Sequence, residues 1–233
     1  MRRILAALAL LAPLAGCAGP PASAGAGAVV ALEARFGRMA RARGSAVLLP
    51  GGLALTAAHV VDEASLREEL CRLGRWPAEP APYLAGLELR GAQGAAVAAT
   101  RLRLGRSSFT PAGCDLAYRR GQDLALLRLA APLPGAVPAP VCEADPGPGQ
   151  AVLAFRAGQP LAGRLGGEAT EADAANGRYA VLEMRLEPGD SGGGVFDAAS
   201  GCLLGIVSMR DPAEPGHSWL VRQAVIRAFL AEE

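Results

Sequence analysis

From Ala28 onward the chain runs in short apolar stretches separated by glycine and proline. That rhythm predicts strands, because a half-buried or buried strand needs only a few apolar positions before a turn former ends it. The expected strands are Ser45–Leu49, Leu53–Thr56, Leu87–Arg90, Val97–Leu104, Leu124–Leu129, Ala151–Phe155, Ala180–Arg185, Gly193–Phe196, Leu203–Ser208 and Ser218–Val221. Gly51-Gly52 and the stretch from Gly91 to Gly94 read as hairpin turns. Helical spacing appears clearly once: Gln223 to Glu232 carries Val225, Ile226, Phe229 and Leu230 on one face, which suits a terminal helix packed on a core. Ala64–Leu73 reads as a short helix, and Trp76 to Pro82 as an irregular insertion.

Two segments punctuate the pattern. Residues 131–140 hold prolines at 132, 134, 138 and 140 and separate two halves as a linker. Residues 18–27 are almost entirely small and cannot build a core, so they read as a tether.

The N-terminus follows another logic. Arg2 and Arg3 precede an apolar run from Ile4 to Leu14, shorter than the roughly 20 residues a membrane-spanning helix needs, which marks a secretion signal. The run ends Leu14-Ala15-Gly16-Cys17, which resembles the bacterial lipoprotein box; that resemblance implies a signal over 1–16 and lipidation of Cys17. Several acyl chains, each buried methylene adding about 0.8 kcal/mol, would give a stable membrane anchor facing the periplasm or the cell surface. The competing reading is ordinary cleavage after Ala22-Ser23-Ala24.

Charge adds mainly exclusions. The 233 residues carry a formal net charge of +1, with every basic residue an arginine, so nothing favours nucleic acid or an acidic membrane surface. Beyond Cys17, an even set of cysteines remains: Cys71, Cys114, Cys142 and Cys202. In an exported chain this favours two disulfides out of three possible pairings, with buried free thiols as the alternative. No CxxC and no histidine cluster accompanies them, so neither a metal nor another cofactor is expected.

Three segments carry the candidate chemistry. They are Leu55-Thr56-Ala57-Ala58-His59-Val60, Gln122-Asp123-Leu124-Ala125-Leu126-Leu127 and Gly189-Asp190-Ser191-Gly192-Gly193, each beside a strand-like run. Taken singly, His59 reads as a buried structural histidine, Asp123 as a strand-end cap and Ser191 as a turn residue. In this order and context they resemble the chymotrypsin/trypsin-like serine peptidases.

The resemblance implies an all-β fold of two antiparallel six-stranded β-barrels with a C-terminal α-helix. The expected boundaries are 28–130 and 141–222 for the barrels, 131–140 between them, 17–27 as tether and 223–233 as helix. It implies a serine endopeptidase acting on proteins or peptides, with Ser191 as nucleophile, His59 as base and Asp123 orienting the imidazole. The amides of Gly189 and Ser191 would form the oxyanion hole, glycine being suited to the unusual dihedrals required there. Placing each cysteine pair inside one barrel gives Cys71–Cys114 and Cys142–Cys202. A catalytically silent peptide-binding lipoprotein of the same fold is the rival reading. Nothing in the sequence addresses the oligomeric state.

The chain departs from animal trypsins in two places. No Ile-Val-Gly-Gly-like segment precedes the His59 motif, so Asp190 needs a partner other than a freed N-terminus. Val29-Val30-Ala31-Leu32 and Pro188 look more like HtrA-type peptidases, although the residues after Ser191 leave no room for a PDZ domain. The specificity pocket is the second departure. By position, Arg185 falls at its base, Ser208 and Arg210 along one wall and Gly216 in a wall turn. An arginine there would repel lysine or arginine and favour an acidic residue before the scissile bond. Should Glu187 neutralise Arg185 and turn it outward, small apolar residues are favoured instead.

Overall fold

The computed structural model describes residues 25–38, 40–77, 81–156, 158–169, 179–211 and 214–232. Cys17, the signal and most of the expected tether lie outside these residues.

Two closed six-stranded antiparallel barrels make up the molecule. The first contains β1 (Val29–Phe36), β2 (Ala40–Leu49), β3 (Leu53–Thr56), β4 (Leu84–Arg90), β5 (Ala96–Leu104) and β8 (Ala125–Leu129), closing in the order β1-β2-β3-β8-β5-β4. The second contains β9 (Ala151–Arg156), β10 (Gln159–Glu168), β11 (Tyr179–Leu182), β12 (Gly194–Asp197), β13 (Leu203–Arg210) and β14 (Ser218–Arg222), in the order β10-β11-β14-β13-β12-β9. A hairpin of β6 (Ser107–Thr110) and β7 (Asp115–Tyr118) stands apart from both. Helices α1 (Ala58–Val61) and α2 (Glu63–Arg72) follow β3, and α3 (Gln223–Ala231) ends the fold. The architecture is that of the chymotrypsin-like fold.

Alternation explains how each barrel fills. Along β1, Val30, Leu32, Ala34 and Phe36 are buried, and the intervening residues are at least partly exposed. Strand β2 begins with the same half-buried pattern, then becomes buried on both faces from Ala46 to Leu49. Ala46 and Leu48 fill the first barrel, whereas Val47 and Leu49 join Phe155, Phe196, Ile206 and Phe229 in an apolar layer between the barrels. Ile226 and Phe229 of α3 enter that layer, with Val225 and Leu230 packed against it, as the apolar stripe requires.

Several expectations need correction. The last residues of the expected tether are packed: Gly27 accepts a 2.9 Å bond from the Val137 amide, and a Cβ on Gly25 would lie 2.7 Å from Phe196. Residues 131–140 are also packed, with Leu133 in the first core and the Ala139 amide bonded to Leu48. Strand β10 was not anticipated because Pro160, Gly163, Gly166 and Gly167 mimic a loop. Glycine serves close approach there: a Cβ on Gly163 would meet Met184 at 2.7 Å. The strand expected over Ala180–Arg185 stops at Leu182, where the chain turns toward Ser191. Disulfides join Cys71 to Cys114 and Cys142 to Cys202. They suit a chain exported to an oxidising compartment.

Candidate active site

His59 and Asp123 reach one another from the ends of β3 and β8. Thr56 closes β3, and the single helical turn α1 carries His59 back over the barrel rim. Asp123 sits two residues before β8, wholly buried. Its Oδ2 lies 2.8 Å from His59 Nδ1, and its Oδ1 accepts the His59 amide at 2.9 Å. Ser208 of β13 donates its hydroxyl to Oδ2 at 2.6 Å, so a strand of the second barrel completes the carboxylate's partners.

These contacts decide the charges. Burial alone would push the Asp123 carboxyl up; the His59 charge and the bonds from His59 and Ser208 outweigh it and hold the group below its ordinary 3.8. Burial would likewise lower His59, but the charge and hydrogen bond of Asp123 win and raise it above 6.5. The Tyr179 hydroxyl is pushed upward by burial and by the Asp123 charge, so it stays protonated beside the pair.

A second polar group braces the histidine from below. Asp62 caps α2 through the Ala64 amide at 2.9 Å and accepts from Ser107 and Tyr118, each at 3.3 Å. Glu63 then holds Arg101, which also donates to the Val61 carbonyl. The free end of α1–α2 is therefore tied to β5 and to the β6–β7 hairpin.

Ser191 stands on the turn leading into β12. Its hydroxyl donates to the Ser208 carbonyl at 3.3 Å, and no hydrogen bond joins it to His59 among the described residues. The turn needs glycine at two points. Gly189 has φ +100°, and Gly192 has φ +84° with a hypothetical Cβ only 2.2 Å from the Ser45 carbonyl and from Thr56 Oγ1. The amides of Gly189 and Ser191 have no acceptor among the described residues, so two neighbouring donors are left for a ligand. From β2, Ser45 clamps the turn: its amide donates to Ser191 O at 2.8 Å and its hydroxyl to Gly189 O at 2.9 Å.

Asp190 finds its partner inside the chain. Arg156, last residue of β9, places Nε 2.9 Å from the Asp190 carboxylate, which also accepts the Glu187 amide at 2.7 Å. Sequence reasoning missed Arg156 and Ser45. Nothing local marks either one, since each acts through a contact made by the fold. Thr56, inside the histidine motif, bonds the Ser45 carbonyl at 2.7 Å and had a signal that was overlooked.

A cavity of about 400 Å³ opens beside Ser191, bordered by Leu186, Pro188, Val207, Met209, Arg210 and Ser218 among others. Ser208 and Arg210 line it; Arg185 and Gly216 do not. The Arg185 side chain is 55% exposed and pairs with Glu187 at 3.0 Å, while the same carboxylate takes Arg210 at 2.5 Å. The turn ending at Leu186 points Arg185 away, and its carbonyl instead accepts from Arg156. At the inner end Ser218 is satisfied internally, donating to Met184 O and accepting from the Leu186 amide. Among the described residues no group of side chains could hold a metal ion.

Comparison with known proteins agrees with this architecture. The Rv3671c protease from M. tuberculosis in its active form superposes with a TM-score of 0.63 at 18% identity, over 98% of this chain and 93% of that one. The HtrA-type protease AlgW with a tripeptide gives 0.61 at 18% identity, over 89% of this chain and 60% of that one. A serine endoprotease from Yersinia pestis gives 0.59 at 20% identity, over 89% and 62%. These likenesses speak to the fold. No curated protein matches the chain by sequence. The model of the trypsin-like peptidase domain matches residues 44–206, well over half of the chain. The chain belongs to that family and is a serine-type endopeptidase.

Proposed function

We propose that this is a lipid-anchored exported endopeptidase in which Ser191, His59 and Asp123 cleave peptide bonds. One observation carries the assignment. Asp123 is fully buried, its carboxyl is held below its ordinary value by His59 and Ser208, and it accepts from both the ring and the amide of His59. That fixes the proton on Nδ1 and leaves Nε2 as the base. Rotation of Ser191 about χ1 takes its hydroxyl from the Ser208 carbonyl to the imidazole. His59 removes the proton as Oγ attacks the carbonyl carbon, then returns it to the departing amine. The Gly189 and Ser191 amides receive the oxyanion, each such donor being worth about 3 kcal/mol in the transition state.

In the 400 Å³ cavity, Leu186, Val207 and Met209 offer apolar contact, and Glu187 compensates both arginines near the mouth. A small or medium apolar side chain before the scissile bond suits this lining better than an acidic one. Cys17, outside the described residues, would supply the anchor. The mass of membrane-extracted protein, compared with the bare chain starting at Cys17, tests that step.

The silent peptide-binding reading draws on the Ser191–Ser208 bond, which holds the hydroxyl off the base. A fluorophosphonate probe separates the two. Labelling of the wild type and its loss in Ser191→Ala support the peptidase; absence of labelling from pH 6 to 9 would leave only binding. Turnover should fall by about six orders of magnitude in Ser191→Ala.

A further inference from the structure

The outer face of the first barrel concentrates positive charge next to the nucleophile turn. Register places Arg41 of β2 opposite Arg35 of β1, and Arg43 opposite Glu33. Glu33 in turn lies opposite Glu88 of β4. Arg90 completes the set, and together these residues border a groove of about 540 Å³. Arg38 adjoins it beside Arg35 and Arg41. Five arginines therefore face two glutamates in a chain whose net charge is only +1.

The glutamates do not neutralise the groove. Glu33 is shared between Arg41 at 3.3 Å and Arg43 at 3.5 Å, and Glu88 takes Arg90. Arg35 and Arg38 carry no ion pair among the described residues. Arg41 and Arg43 are 66% and 79% exposed, so their shared pair is weak and open to competition.

The groove starts at the reaction centre. Arg43 shares its face of β2 with Ser45, whose hydroxyl donates to the Gly189 carbonyl of the nucleophile turn at 2.9 Å. Arg41 also borders a small cleft with His59. The apolar cavity lies on the other side of Ser191, at Val207 and Met209. Since His59 protonates the leaving amine, the residues following the scissile bond must lie on the His59 and β2 side. Outer-face positions of a strand recur about every 6.8 Å, the same step as alternate side chains of an extended substrate.

We propose that Arg41 and Arg43, with Arg35 and Arg38 behind them, form a subsite for acidic residues within the first four positions after the scissile bond. The proposal rests on the peptidase reading, and its test separates the two. Three peptides share one sequence up to the scissile bond and continue as Ala-Glu-Ala-Glu, Ala-Gln-Ala-Gln or Ala-Arg-Ala-Arg. Their affinities for the inactive Ser191→Ala protein read the subsite without turnover. Hydrolysis of the glutamine peptide by the wild type reads the peptidase alone.

Glutamate should bind about fivefold more tightly than glutamine at low salt, and arginine more weakly than either. The difference should vanish near 1 M salt, where screening acts within about 3 Å. Arg41→Glu with Arg43→Glu should reverse the order, the milder Arg41→Gln with Arg43→Gln should level it, and Arg128→Glu, at an exposed position of β8, should keep it. Equal affinity for the glutamate and glutamine peptides, or an order unchanged in both double variants, overturns the subsite.

Discussion

The first barrel secures its two site residues mostly from within, whereas the second carries its serine on a turn fastened from both barrels. His59 and Asp123 are joined by two hydrogen bonds, and Asp62, Tyr118, Glu63 and Arg101 brace the helices behind them. The Ser191 turn holds itself through Asp190, Arg156 and the Glu187 amide. Its own barrel also holds it at β13, where the Gly192 amide donates to Val207 O and the Val207 amide to Gly193 O, each at 2.8 Å, and Ser45 of the first barrel adds two more bonds. In the other direction, Ser208 reaches from β13 to Asp123. The site is thus a clamp across the apolar layer between barrels, and damage on the two sides should differ in kind.

The most severe break short of removing Ser191 or His59 is Gly192→Ala. The added methyl would sit 2.2 Å from Ser45 O and Thr56 Oγ1, on a residue at φ +84°. Relief requires the turn to leave β2, taking Ser191 with it. Turnover should fall by about 100-fold, as for a nucleophile displaced by an ångström, with a stability loss of about 2 kcal/mol. Denaturant melts and progress curves on one preparation check both. Wild-type turnover would show that the turn does not depend on the first barrel.

Next in size is Arg156→Met. Asp190 is nearly buried, so losing the guanidinium leaves a carboxylate with only the Glu187 amide. About 2 kcal/mol of stability should go, because an unpaired buried charge costs more than the pair contributes. Turnover should drop about tenfold through kcat, with KM little changed, since the apolar cavity stays in place. Adding Asp190→Asn removes the stranded charge and should recover most of the stability. Failure to recover would mean that Arg156 acts through packing alone.

The sequence disclosed the first barrel's contribution better than the second's. The histidine and aspartate segments adjoin β3 and β8, whose continuous apolar runs announce buried strands. The Ser191 turn was legible from its glycines, but its fastening was not: Ser45 and Arg156 are 146 and 35 residues away from Ser191 along the chain. Arg185 misled for a related reason. Counting back from the nucleophile assumes the pocket turn has one shape, and here that turn aims Leu186 inward and Arg185 at Glu187. Strand β10 was hidden by glycines whose role is to admit side chains from β11 and beyond.

The smallest effect probes the hydrogen bond that Ser208 of the second barrel gives to Asp123 of the first. His59 must be neutral to act as base, so kcat/KM should rise with pH through a value above 6.5, the direction in which Asp123 moves it. Stability runs the other way for this group. A raised histidine contributes fully below 6.5, and its contribution disappears as pH climbs through the folded value. Asp123, held low, contributes above 3.8 and loses that contribution as pH falls through its folded value. Ser208→Ala deletes a donor to the Asp123 carboxylate without touching His59. The carboxylate then depends more on the imidazolium, so His59 should hold its proton to higher pH and the acid limb of kcat/KM should move up. Acid unfolding should begin at higher pH as well, because Asp123 is less depressed. A Ser208 that merely fills space would lower activity evenly and leave the limb where it was, so the pH profile, and not the rate at one pH, shows whether the second barrel tunes the first.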